Sequence, residues 1–99
     1  MNRDEKYLIF AHYHSNGLIR KDIINFLNES KKYFTKIVFV STKVNLKELK
    51  KISKKIEVIK RKNTGYDFYS YKIGCEYISK ILKYNFDNKK FFFVNSSIL

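Results

Sequence analysis

Two histidines, His12 and His14, stand two residues apart in a segment that reads as extended chain, so both project to one side, where two imidazoles could meet a metal ion. No third ligand accompanies them, and histidines near loops commonly bond to neighbouring backbone, so local hydrogen bonding is the expectation. Cys75 is the single cysteine, which excludes an internal disulfide and a multi-cysteine zinc site; beside Gly74 in a helical pattern it reads as a small packing residue. The three glycines, Gly17, Gly65 and Gly74, fit neither a dinucleotide fingerprint nor a Walker loop, and there is no His-Glu-x-x-His or Gly-x-Ser-x-Gly. Gly65 nevertheless falls where backbone amides could face a phosphate or nucleoside as a helix begins. Asp67, two residues later, reads by itself as that helix's cap.

Positioning these groups falls to an alternating chain. Residues 6–13 and 36–40 are near-continuous apolar runs, as buried parallel strands require. Between them Ile19, Ile23, Phe26, Leu27 and Phe34 recur at helical spacing and predict an amphipathic crossover. A second helix is expected from Asn45, with Asn45 and Glu48 as reciprocal caps and Leu46, Leu49 and Ile52 as its apolar stripe. A third strand over Ile56 to Ile59 leads into the loop 61–65. A third helix over about Asp67 to Leu82 packs through Ile73, Tyr77, Ile78 and Ile81, and Phe91 to Val94 make a fourth strand. This order predicts one α/β domain over residues 1–99, with a three-layer parallel sheet joined by crossover helices. Ligands of such sheets lie at the carboxyl ends of the strands. Polar residues gather there: His12, Tyr13, His14 and Asn16; Ser41 and Thr42; Arg61 to Asp67; and Asn95 to Ser97. A last strand carrying Phe91, Phe92 and Phe93 would be a hazardous bare edge, which predicts a truncated chain or a strand completed by another chain.

Composition narrows the partners. Hydrophobic residues make up 44% and aromatics 17%, enough to drive folding of a globular chain. No apolar run approaches the roughly 20 residues of a membrane span, and the amino terminus resembles no secretion signal, so a cytoplasmic location is expected. A net charge of +12 favours anions: a phosphorylated small molecule, nucleic acid or an anionic inner-membrane face. A general lysine bias on solvated faces explains the charge equally well. A basic module holding single-stranded nucleic acid through Lys, Tyr and Phe is the alternative function, weakened because the aromatics occupy core-like positions. An inactive product of a truncated gene is the third.

The segment Asn63-Thr64-Gly65-Tyr66-Asp67-Phe68-Tyr69-Ser70-Tyr71-Lys72-Ile73-Gly74 resembles the signature of the rhamnan synthesis protein F family. Ala11-His12-Tyr13 with Gly17, and Ile37 to Ser41, resemble the same family's opening segments. The resemblance implies the Rossmann-like, GT-A-like first half of a bacterial polysaccharide glycosyltransferase, with a nucleotide-activated sugar such as dTDP-rhamnose as donor. His12, Tyr13, Ser41, Arg61, Asn63, Gly65, Tyr66, Asp67, Lys72 and Asn95 would line the nucleotide-sugar site, Asp67 accepting from a base or ribose hydroxyl and Lys72 facing the diphosphate. Complete members would use Mg2+ or Mn2+ and a polysaccharide or lipid-linked acceptor. Ser96 stands where the family tends to carry the metal-anchoring acid, which removes the hard ligand such a cation needs. The 99 residues alone are expected to be inactive, since the acceptor site and catalytic base belong to later regions.

Overall fold

The computed structural model describes residues 4–62 and 67–97. Strands β1 (Glu5–His12), β2 (Lys36–Ser41), β3 (Glu57–Lys60) and β4 (Lys89–Asn95) form one sheet in the order β3-β2-β1-β4, with every pair parallel. Helix α1 (Lys21–Ser30) connects β1 to β2 and α2 (Asp67–Ile81) connects β3 to β4. The chain therefore steps outward from β1 to β3, then returns across to the other side of β1. Right-handed crossovers place connections running in opposite directions on opposite faces, which gives helix, sheet and helix as three layers. The order fits a Rossmann-like sheet.

Side-chain alternation distributes the core between the two faces. Leu8, Phe10, Ile37 and Phe39 turn to the face with Ile23 and Leu27 of α1; Tyr7, Ile9, Val38 and Val40 turn to the face with Ile78 of α2. Covered on both sides, β1 and β2 read as unbroken apolar runs for a physical reason. Among the described residues no helix is long and apolar enough to cross a membrane.

Three expectations about the helices change. α1 ends at Ser30, and Phe34 lies in the following turn, where its ring meets Phe92 edge-on at 5.3 Å. The expected helix from Asn45 is only a 3-10 turn over Glu48–Lys51. Its would-be capping side chains serve the loop after β1 instead: Glu48 Oε1 accepts from the Ile19 amide at 2.9 Å, and Asn45 Nδ2 donates to the Asn16 carbonyl at 3.2 Å. In α2 Ile78 is buried with Ile73 and Tyr77 packed beside it as expected, but Ser70 and Gly74 are the other enclosed residues and Ile81 is half exposed.

That stripe of small residues lets α2 approach β1 closely. A Cβ on Gly74 would lie 2.5 Å from Ile9 Cγ2, and Ile9 is fully enclosed and cannot retreat. Gly74→Ala should therefore destabilise the fold, because overpacking costs about 1–3 kcal/mol against a helix-propensity gain of about 1 kcal/mol. Urea unfolding should show a lowered midpoint; an unchanged or raised midpoint would contradict the close seat of α2.

Candidate functional site at the carboxyl ends of the strands

Where the strand order reverses, between β1 and β4, the loops leaving those strands diverge and open a crevice. A recess of about 260 Å³ occupies it, lined by Tyr13, His14, Arg20, Ile23, Asp67, Ser96 and Ser97. Asp67 stands in the first turn of α2 and Ile23 in the first turn of α1, so the amino-terminal ends of both helices border the same mouth. Helix starts present unsatisfied amides and partial positive charge, which favours an anionic ligand.

The loop after β1 is held by buried hydrogen bonds. His12 is only 1% exposed, and its Nε2 lies 3.0 Å from the Leu18 carbonyl while its Nδ1 lies 2.8 Å from Ser41 Oγ. A carbonyl only accepts, so Nε2 carries the proton and Nδ1 accepts from the Ser41 hydroxyl. Ser41 Oγ in turn accepts from the Lys43 amide at 3.2 Å. Burial holds the His12 pKa below its ordinary 6.5, with the His14 and Arg20 charges adding in the same direction and the Leu18 carbonyl opposing. The pair thus ties β1 to β2 beneath the recess as a neutral unit. Gly17 completes the loop at φ +71, a left-handed conformation that closes a turn onto the His14 carbonyl.

Arg20 and Ser96 bridge the two strand ends. Arg20 donates from its terminal nitrogen to the Ser96 carbonyl at 3.0 Å and grips the Asp22 carboxylate through two nitrogens at 3.1 and 3.2 Å. Ser96 Oγ accepts from the Tyr13 amide at 3.3 Å and donates to the Tyr13 carbonyl at 3.2 Å. Ser96 is therefore a staple between β4 and β1. Its hydroxyl is committed, and among the described residues no group of three His, Cys, Asp or Glu stands together to hold a metal ion. Ser96 Oγ, a neutral hydroxyl bonded on both sides to Tyr13, is a poor ligand for a divalent cation.

Of the residues singled out from sequence, Tyr13 and Asp67 line the recess. His12 and Ser41 are each 1% exposed, bonded to one another and absent from that lining. Arg61 borders a second recess of about 200 Å³ at the ends of β2 and β3, with Ser41, Thr42, Lys43, Val44 and Lys60. Its Nε donates to Ser70 Oγ at 2.8 Å and its guanidinium lies 5.1 Å from the Tyr69 ring centre, which fixes the exit of β3 against α2. Lys72 is exposed on α2, with its ammonium 6.0 Å from the same ring, and is not part of either lining. Asn95 is folded into a turn, its Oδ1 accepting from the amide and hydroxyl of Ser97 at 3.0 and 2.8 Å. Asn63, Gly65 and Tyr66 lie outside the described residues. The sequence reading missed Arg20, which merged with the polar side of the helical pattern, and Lys43 and Lys60, which merged with the general lysine excess.

The His12 arrangement has a signed pH dependence. The unfolded chain protonates His12 near pH 6.5, the folded chain only at lower pH, so the unfolded state binds more protons between the two values. Thermal stability should fall as pH drops below about 6.5, above the window where the depressed carboxyls of Glu5 and Glu48 lose theirs. His12→Gln should remove the upper part of that fall in a pH series of thermal midpoints; an undiminished slope in the variant would contradict the assignment.

No family model, curated protein or solved structure matches this chain, so the sheet topology and the geometry of the recess are the findings that bear on its function.

Proposed function

We propose that this chain is the donor-binding part of a GT-A-like glycosyltransferase that takes a nucleotide-activated deoxysugar, of the dTDP-rhamnose kind, for bacterial surface polysaccharide. The observation carrying this reading is the polar recess at the β1–β4 crevice, bordered by the starts of both helices and by Arg20. Asp67, which belongs to the signature-like segment 63–74, stands in that lining.

Chemistry follows from the lining. Tyr13 is half exposed and offers a ring face to a base; the Asp67 carboxylate can accept from a ribose or base hydroxyl. Diphosphate charge is offset by the Arg20 guanidinium and the helix starts rather than by a cation at Ser96. A recess of about 260 Å³ falls below the roughly 300 Å³ at which small-molecule pockets begin, so it holds one moiety of the donor. Ser96 and His12 act by holding the two strand ends at a fixed separation. The acceptor and the group that deprotonates it stand outside this proposal.

Calorimetry with dTDP should give saturable binding that survives chelation of divalent metals. Arg20→Ala and Asp67→Ala should each weaken it about tenfold, equivalent to about 1.4 kcal/mol, and Lys72→Ala should do so less. An oligonucleotide that binds with a steep salt slope and is not displaced by dTDP would favour the nucleic-acid alternative. Absence of saturable dTDP binding by the folded chain would remove the proposal.

A further inference from the structure

The connection from β2 to β3, together with β3 itself, carries a concentrated positive charge. Residues 43–60 hold seven lysines against two acids, and all seven lysines are exposed. Val44, Leu49, Ile52 and Ile56 pack inward on the core shared with α1, so the rest of the connection turns outward. Neither acid offsets the charge of that outer surface freely. Glu48 accepts from the Ile19 amide and pairs with Lys51, the one lysine of the seven that is ion-paired among the described residues. Glu57 bonds to Tyr77 on the opposite, α2 side of the sheet. Strand alternation puts Lys60 on the side of Val58, which packs with the α1 core, and therefore on the same side as the connection. Lys47 and Lys50 stand three apart in consecutive tight turns, where side chains eclipse one another. Among these lysines Leu46 is 67% exposed.

We infer that this face docks on an anionic lipid bilayer, its ammonium groups among the headgroup phosphates and Leu46 entering between them. Each lysine within a Debye length of such a surface gains from its negative potential, and several on one face act together. An exposed leucine among lysines adds apolar burial at the headgroup boundary, a gain that the phosphates of a nucleic acid do not offer. Single-stranded nucleic acid is held by base stacking on aromatic rings, and residues 43–60 contain none of the chain's eight Tyr and nine Phe. The cations of this stretch are also all Lys, with no Arg to grip one phosphate in a fixed geometry. Flexible lysine stems suit headgroups that move, and they can lie along apolar surface while their charges stay in water. Because the inward apolar residues already hold the connection to the core, docking requires no refolding. None of these residues lines the recess of the donor-binding reading, so the two proposals stand or fall separately.

Vesicles of phosphatidylglycerol and phosphatidylcholine in a ratio of about one to two should sediment the chain in about 100 mM NaCl and release it in about 500 mM. Vesicles of phosphatidylcholine alone should leave it in solution. Lys47→Glu with Lys50→Glu should weaken binding to the anionic vesicles at least about tenfold. Lys80→Glu with Lys83→Glu, exposed positions in and after α2, change the net charge equally without touching this face and should weaken it about twofold or less. Leu46→Asn, which leaves the charge unchanged, should cost about threefold. Circular dichroism checks the folding of each variant, and Lys47→Gln with Lys50→Gln takes the place of the glutamate pair should that one unfold. A parent chain that ignores anionic vesicles, equal losses from the two reversal pairs, or a duplex oligonucleotide that displaces the vesicles at equal phosphate concentration would overturn the docking.

Discussion

The absence of a side chain at Gly74 sets how deeply α2 is seated on the sheet. With Ser70 and Ile78 it forms the stripe by which α2 lies against β1, and a methyl group there would collide with Ile9. Because α2 is seated at this depth, its first turn reaches the crevice between β1 and β4 and brings Asp67 to the mouth. Ser70 on the same stripe receives the Arg61 guanidinium, so the exit of β3 is drawn to the helix that follows it. A single close approach thus fixes the sheet-to-helix spacing and the place where ligand chemistry is presented.

The mouth is shaped by short-range hydrogen bonds and biased by the long-range field of the lysines, and the two have different tasks. His12, Ser41, Glu48, Asn45 and Gly17 hold the loop after β1 through bonds to backbone groups, while Ser96 and Arg20 clamp β4 to it. Among the described residues no buried side-chain nitrogen or oxygen lacks a partner, which is what a defined loop conformation requires. Most lysines lie on solvated faces away from this network. Their summed field attracts anions without choosing among them, and choice falls to the few groups aimed into the recess.

The sheet was legible in the sequence because strands buried on both faces leave continuous apolar runs, and residues 6–13 and 36–40 have that form. Parallel alternation followed from those runs and the helices between them. The segment after Asn45 was misread because cap-forming residues and an apolar spacing are local signals, whereas Glu48 is claimed by Ile19, 29 residues away in sequence. Ile81 was placed on the packing face by its hydrophobicity, yet α2 uses its small residues there. Tyr13 and Asp67, singled out as polar residues at strand ends, stand in the lining of the recess. The inward turn of His12 and the outward place of Lys72 depend on loop closure and helix phase, which no residue type announces.

On the proposed reading, ligand binding is confined to the crevice at which the strand order reverses. Backbone amide shifts followed by nuclear magnetic resonance during a dTDP titration locate it. The largest changes should fall on Tyr13, His14, Arg20, Asp67 and Ser96, with β3 and the far ends of the strands unmoved. Changes spread over the surface lysines, or centred on the amino-terminal ends of the strands, would contradict it.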